Sequence, residues 1–320
     1  MGSSLFQRVM VKILSWWLEH HKKFNNSQFG FRRNRSCTDN LSILTTDDLN
    51  DFEKGNEVSA MFLDIKGAYD NVLPDLLIDN LKNLGLPGNL LSFIYNLISS
   101  RKLHAKYGDF EEVGWTSKGL LQGSVLSPLL YALYLNIKEI ANHGCKILEF
   151  ADDVVIYTSN ENTQIGINNL ERDTNNVNSY LEMKGLSLAA NKCIFMVFNK
   201  CSGQGGLWDI NLDSNVITSS RIVKLFGRWL SSNFEWEKQI SSIEAKCQTP
   251  LKILSCIRST WQGADPIVLI RLYKALIRSR IEYCGFLFHK LTKQQAISSA
   301  VTRGGQEGQL PRAQCKGGRT

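Results

Sequence analysis

Three short stretches of this chain carry residues that could do chemistry on phosphates. The first is Phe62-Leu63-Asp64-Ile65-Lys66-Gly67-Ala68-Tyr69-Asp70. An apolar run delivers Asp64 at its C-terminal end, and a carboxylate there is a poor strand former and costly to bury unless something pairs with it. A helix cap is the plain alternative for Asp64. The second is Glu149-Phe150-Ala151-Asp152-Asp153-Val154-Val155-Ile156-Tyr157. Its two adjacent acids are acceptable in a hairpin turn, but tight turns favour Asn-Gly or Asp-Gly. Neighbouring carboxylates repel, and a divalent cation removes that penalty. Mg²⁺ takes hard oxygen ligands, typically one or two carboxylates plus substrate phosphates. A pair of such ions can bracket the attacking and leaving oxygens of a phosphoryl transfer. The third is Gly119-Leu120-Leu121-Gln122-Gly123-Ser124-Val125-Leu126-Ser127-Pro128, a glycine-rich polar turn running into a helix, where backbone N–H groups can approach a phosphate or a base closely.

Residues 58–65 read as a buried strand, and residues 145–158 as two short strands around an Asp152–Asp153 turn. A further strand is predicted at 193–198. Helices are predicted over 7–21, 41–52, 74–84, 89–99, 126–140 and 167–181. Two more follow at 236–257 and 268–281. Pro250 should kink the former, since an interior proline costs roughly 3 kcal/mol. Beyond Lys290 the pattern dissolves into a Gly- and Gln-rich tail that is expected to be disordered.

Composition narrows the classes. At 320 residues with 43% hydrophobic and 21% charged content, the chain is long enough for a proper core. No apolar run approaches the roughly 18 residues of a membrane span, and no secretory signal is visible, so an intracellular place, nucleus or cytoplasm, is expected. No two of the eight cysteines are separated by only two residues, so zinc-knuckle spacing is absent. Net charge is +7, but residues 221–320 hold 17 Lys and Arg against 6 Asp and Glu. An acidic-to-neutral front and a basic rear suit a chain that holds metals in one place and phosphates in another; a merely soluble basic surface is the alternative.

The order of the three stretches is distinctive. The chain resembles the reverse transcriptases of non-LTR, LINE-type retrotransposons, most closely the jockey-like elements. Ser27-Gln28-Phe29-Gly30-Phe31-Arg32 with Arg35-Ser36 looks like their fingers motif, residues 62–72 like motif A, 119–128 like motif B and 150–153 like motif C. Residues 187–198, with Lys192, are similar to motif D. Lys224-Leu225-Phe226-Gly227 looks like the primer grip, with its aromatic and Leu in reversed order, and residues 236–283 resemble the thumb. The resemblance covers roughly residues 5–289.

What the resemblance implies is an α+β right-hand polymerase with an antiparallel palm sheet. Residues 1–56 would be partial fingers, 57–232 the palm with inserted fingers helices, 233–289 a helical thumb, and 290–320 the tail. Asp64 and Asp152 would bind two Mg²⁺ ions (Mn²⁺ substituting), with Asp153 supporting. Tyr69 would exclude a ribose 2′-hydroxyl, and Gln122 beside Gly123 would touch the incoming nucleotide. Arg32 and Arg35 would contact template or triphosphate, and Lys192 would protonate the leaving pyrophosphate. The partners would be an RNA template, a DNA primer and dNTPs. Two rivals stand beside this reading. Viral RNA-dependent RNA polymerases usually carry Asp, not an aromatic, at the Tyr69 position. A decayed retroelement fragment would bind nucleic acid without catalysis.

Overall fold

The apolar run before Asp64 forms β1 (Glu57–Asp64), whose residues 58–63 are all buried. This is the strand of a sheet covered on both faces. The computed structural model describes residues 2–137, 140, 143–199, 206–258, 263–285 and 287; the expected tail at 290–320 lies outside them. Two compact units divide the chain, residues 1–226 and 227–320.

In the first unit, β1 lies inside a four-stranded sheet with β4 (Lys146–Phe150), β5 (Asp153–Asn160) and β6 (Ile194–Phe198), in the order β4-β5-β1-β6. Every neighbouring pair is antiparallel. The two-residue period of a strand sorts the side chains. Met61 and Leu63 of β1, Val154 and Ile156 of β5 and Phe195 of β6 enter one core. That core also takes Leu77 and Leu81 of α3 (Pro74–Asn83), Tyr131 and Tyr134 of α5 (Ser127–Tyr134), and Leu170, Val177 and Leu181 of α6 (Thr163–Met183). Leu14 and Leu18 of α1 (Gly2–His20) join it, while α4 (Gly88–Ile98) contributes Ile94 and Ile98.

Helix α2 (Cys37–Glu53) packs against β1 and β4. It begins earlier than the apolar periodicity suggests, because Ser36 and Asp39 close a capping box that satisfies the first-turn donors. From α2, Asp47 accepts hydrogen bonds from Lys146 Nζ and Tyr157 Oη, both at 2.7 Å. The helix expected over 126–140 stops at Tyr134, where Leu135 turns extended. The exposed hairpin of β2 (Arg101–Tyr107) and β3 (Phe110–Thr116) was not expected. Its apolar residues line no core, so the alternation that marks a half-buried strand is missing. A short hairpin of β7 (Asp209–Leu212) and β8 (Asn215–Thr218) precedes β9 (Ile222–Leu225).

The second unit contains β10 (Arg228–Ser231), α7 (Glu237–Arg258), α8 (Pro266–Tyr273) and α9 (Ser279–Glu282). Pro250 does not interrupt α7, which runs through it with Pro250 buried. The helix expected over 268–281 is present without interruption, as α8, a π-helical turn Lys274–Arg278 and α9 in direct succession. Buried Arg228 ties this unit together: its guanidinium lies 4.6 Å from the Tyr283 ring centroid and donates to the backbone oxygens of Arg280 and Tyr283.

Three carboxyls are fully buried in the first unit, Asp48, Glu149 and Asp173, and the first two have raised pKa values. Burial, with the negative neighbours Asp47 and Asp51, holds Asp48 well above the usual range. Burial pushes Glu149 from an ordinary 4.5 up to about 7, against the pull of a Ser27 hydrogen bond. Both therefore bind their protons more tightly in the folded chain than in the unfolded one. Their contribution is full below the ordinary carboxylate range and is lost as pH rises, for Glu149 through about 7. Thermal melting should fall between about pH 5 and about pH 8. Asp48→Asn and Glu149→Gln, which carry no such proton, should each shrink that fall. Melting curves of the three chains at the two pH values provide the check, and an equal fall in all three would refute it.

Candidate active site

Asp64 closes β1 and Asp153 opens β5, and the two are cross-strand partners. Directly opposed residues of an antiparallel pair project to the same face. Both carboxyl groups therefore emerge together at one end of the sheet. Asp152 sits beside them, in the two-residue turn with Ala151 that joins β4 to β5. The turn is one residue earlier than the sequence suggests, so Asp153 belongs to the strand. Ala151 takes φ +61°, a conformation that costs a non-glycine residue on the order of 1–3 kcal/mol.

The turn is propped from the side. Residues 27–29 run along β4: Glu149 N–H donates to Ser27 O and Phe29 N–H to Glu149 O, each at 2.8 Å. Gly30 then passes over the turn so closely that a Cβ there would lie 2.5 Å from the Ala151 nitrogen. Only glycine permits that approach.

Three further segments converge on the aspartates. After β1, Tyr69 stacks on Tyr131 with ring centroids 4.8 Å apart. Its phenol is raised to about 12, first by burial and then by the charge of Asp152. The turn at 119–123 is laced to the same segment by Leu120 N–H to Tyr69 O and Gly119 N–H to Val72 O, both 2.7 Å. A Cβ on Gly119 would meet Asp70 O at 2.8 Å, and its φ of +84° also suits glycine. Gln122 donates to Asp70 Oδ1 at 3.0 Å. Gly123 has φ +87° with open space around it, so its requirement is conformational. The third segment crosses the end of β1, where Ala189 N–H donates to Asp64 O at 2.9 Å. The turn that follows brings Lys192 Nζ to 3.5 Å from Asp64 Oδ1.

The two arginines each engage groups of the protein itself. Arg32 clamps Glu19 through Nε and one terminal nitrogen at 2.9 and 2.7 Å, and its other nitrogen donates to Asn25 O and Gln28 O. Its guanidinium is spent on shaping the loop between α1 and α2. Arg35 donates to Asn26 O at 3.2 Å and covers the Phe29 ring. Residues that the sequence did not single out for a role are Glu149, Asp70, Tyr131 and Arg101. Arg101 donates to Lys118 O and Gly119 O at 2.7 and 2.9 Å and so steadies the glycine-rich turn. The only advance signal was Glu149, a carboxylate inside an apolar strand run.

Among the described residues no group of three or more His, Cys, Asp or Glu side chains is arranged as a finished cation site. The donor set nonetheless suits a hard divalent cation. Asp153 is pushed up to about 6 by burial and by the charges of Asp152 and Asp64. Burial is the larger cause, and a cation with oxygen ligands would offset the part that the like charges add.

Residues 3–256 match the family of reverse transcriptases (RNA-dependent DNA polymerases). The RNA-directed DNA polymerase from the mobile element jockey of Drosophila melanogaster is 21% identical over 287 residues, 87% of this chain and 31% of that protein. Its Drosophila funebris counterpart is 22% identical over 268 residues, 80% of this chain and 28% of that protein. A probable RNA-directed DNA polymerase from transposon BS of D. melanogaster is 28% identical over 167 residues, 49% of this chain and 18% of that protein. The chain thus spans less than a third of the length of these relatives. Among solved structures, telomerase from Candida tropicalis in complex with a TWJ fragment of telomeric RNA superposes with TM-score 0.53 at 14% identity, covering 92% of this chain and 47% of that one. At such identity the likeness speaks for the fold alone, an α+β polymerase fold with an antiparallel sheet. By the match over residues 3–256, the chain belongs to the reverse transcriptase (RNA-dependent DNA polymerase) family.

Proposed function

We propose that this chain copies retroelement RNA into DNA. The 3′-hydroxyl of a DNA primer gives up its proton and attacks the α-phosphorus of a template-paired dNTP, and the bond to pyrophosphate breaks. The observation that carries this reading is the end of the sheet, where Asp64 opposes Asp153 and Asp152 stands in the adjoining turn. Two divalent ions, Mg²⁺ or Mn²⁺, held by Asp64 and Asp152 with Asp153 in support, would supply charge neutralisation on the reacting phosphate. The chain's own residues do the positioning. Tyr69, fixed by its stack on Tyr131, fills the space that a 2′-hydroxyl would need. Gln122, oriented by Asp70, and the backbone at Gly123 face the nucleotide. Lys192, beside Asp64, holds a proton that the leaving pyrophosphate can take. Arg35 contacts the template or the triphosphate. Arg32 acts one step removed, through the loop it shapes.

Primer extension on poly(rA)/oligo(dT) with Mg²⁺ tests the reading. Asp152→Asn should lower the rate by at least roughly a hundredfold while melting stays unchanged, since a group shared by both ions contributes several kcal/mol in the transition state. Retention of more than a tenth of the rate would remove Asp152 from the site. A wild-type chain that binds the duplex but never extends it would favour the non-catalytic alternative.

Discrimination against ribonucleotides is the second measurement. Tyr69→Val should raise rNTP incorporation relative to dNTP, because shrinking the ring removes a clash. An unchanged ratio would make Tyr69 an ordinary packing residue.

The third measurement concerns the second unit. Arg271, Lys274 and Arg278 are all exposed, at three- and four-residue spacing. They should track duplex phosphates without reading sequence. Changing all three to Ala should reduce the magnitude of the log–log salt slope of duplex binding by roughly 2 to 3. An unchanged slope would leave the stripe a solvated surface.

A further inference from the structure

Glu149 stands three residues before Asp152, on the sheet face opposite Asp153. Its cross-strand partner is Val154, which points into the core. Direct contact with a nucleotide or an ion at the aspartates is therefore closed to it. Yet its surroundings are built. Glu149 is 0% exposed, and Ser27 Oγ donates to its Oε1 at 2.5 Å. Its backbone forms both ladder bonds to residues 27–29. Asn40 of α2, 1% exposed, reaches its carbonyl oxygen through Nδ2 at 3.4 Å. Gln28, also 1% exposed, bridges to it in parallel register. Oε2 of Glu149 has no partner among the described residues. A charged carboxylate with one bare oxygen at zero exposure is costly, and the neutral acid costs less.

The same segment governs the turn. Gly30 follows directly on residues 27–29 and presses on the Ala151 nitrogen. Ala151 is held in a left-handed conformation that its own side chain disfavours. Such a conformation persists only where the surroundings over-determine it. The lateral restraint at hand is the segment that Glu149 fastens to β4.

We propose that Glu149 is a positioning residue: as a neutral carboxyl hydrogen-bonded to Ser27, it locks residues 27–30 along β4 and so holds the Ala151–Asp152 turn in its working shape. The proposal rests on the reading of Asp152 as a site residue. It acts through backbone placement, so its loss should lower kcat while leaving KM for dNTP nearly unchanged.

The experiment combines amide hydrogen exchange with primer extension on the full chain as wild type, Glu149→Gln and Glu149→Leu. In Glu149→Leu, exchange over residues 27–30 and 150–153 should quicken roughly tenfold while α6 stays protected. Its kcat should fall roughly tenfold or more. Glu149→Gln, neutral and able to accept from Ser27, should restore slow exchange and most of the rate. Unchanged exchange at the turn in a folded Glu149→Leu chain would overturn the proposal, as would a Gln variant as damaged as the Leu one. Should Glu149→Leu fail to fold, Ser27→Ala removes the same hydrogen bond from outside the strand. It should quicken exchange at 150–153 in the same direction, and no change there would overturn the lock. If the wild-type chain extends no primer, the functional reading fails by itself, and the exchange measurements still decide the lock.

Discussion

The constraint on which the rest depends is the placement of negative charge at one end of an antiparallel sheet. Cross-strand register sets Asp64 opposite Asp153, and the turn leaves Asp152 beside them. Burial first, and then the like charges of Asp152 and Asp64, make Asp153 hold its proton more tightly than an ordinary carboxyl. The strands that carry these groups cannot relax away. Each is buried through its middle on both faces, and sliding by one residue would exchange the side chains packed on the two faces. Core packing thus fixes an arrangement that the charges alone would not choose. Lys192 offsets part of the charge from Asp64, and the remainder suits a divalent cation.

Around this end of the sheet the chain spends backbone hydrogen bonds on placing loops. The glycine-rich turn is sewn to the Tyr69 segment, residues 187–189 to the end of β1, and residues 27–29 to the edge of β4. The last of these also covers a strand edge that would otherwise offer unpaired backbone groups. Glycine appears where two backbones must nearly touch, at Gly30 against Ala151 and at Gly119 against Asp70. Both contacts are tighter than any β-carbon allows, so the precision of the site is written partly in missing side chains.

Arginine behaves differently in the two units from what its charge suggests. Arg32 and Arg228 are consumed internally, each bonding carbonyl oxygens and lying over an aromatic ring. A guanidinium has five donors in a planar fork, and a loop rich in unpaired carbonyl groups is a natural place to use them. Electrostatic bookkeeping from sequence counts such residues as surface for phosphates, when part of the positive charge is structural.

Much of this protein was legible in its sequence. The order of the aspartate and glycine motifs carried the family. Apolar runs of the right length marked β1, β5 and the helices behind them, because periodicity and burial are local properties of the chain. The apolar periodicity, by contrast, puts the start of α2 four residues late, since the local capping signal of Ser36 and Asp39 precedes it. Tertiary structure decided what depends on distant partners. It moved the turn to Ala151–Asp152, because pairing of Phe150 with Asp153 draws the latter into the strand. It gave Arg32 to Glu19, carried α7 through Pro250 and formed an exposed hairpin at 101–116 without a core to announce it. It also set a lone carboxyl, Glu149, beneath the turn against Ser27, 122 positions away in the chain. Local chemistry names the groups that can react, whereas their separation, protonation and support arise from contacts between residues far apart in the chain.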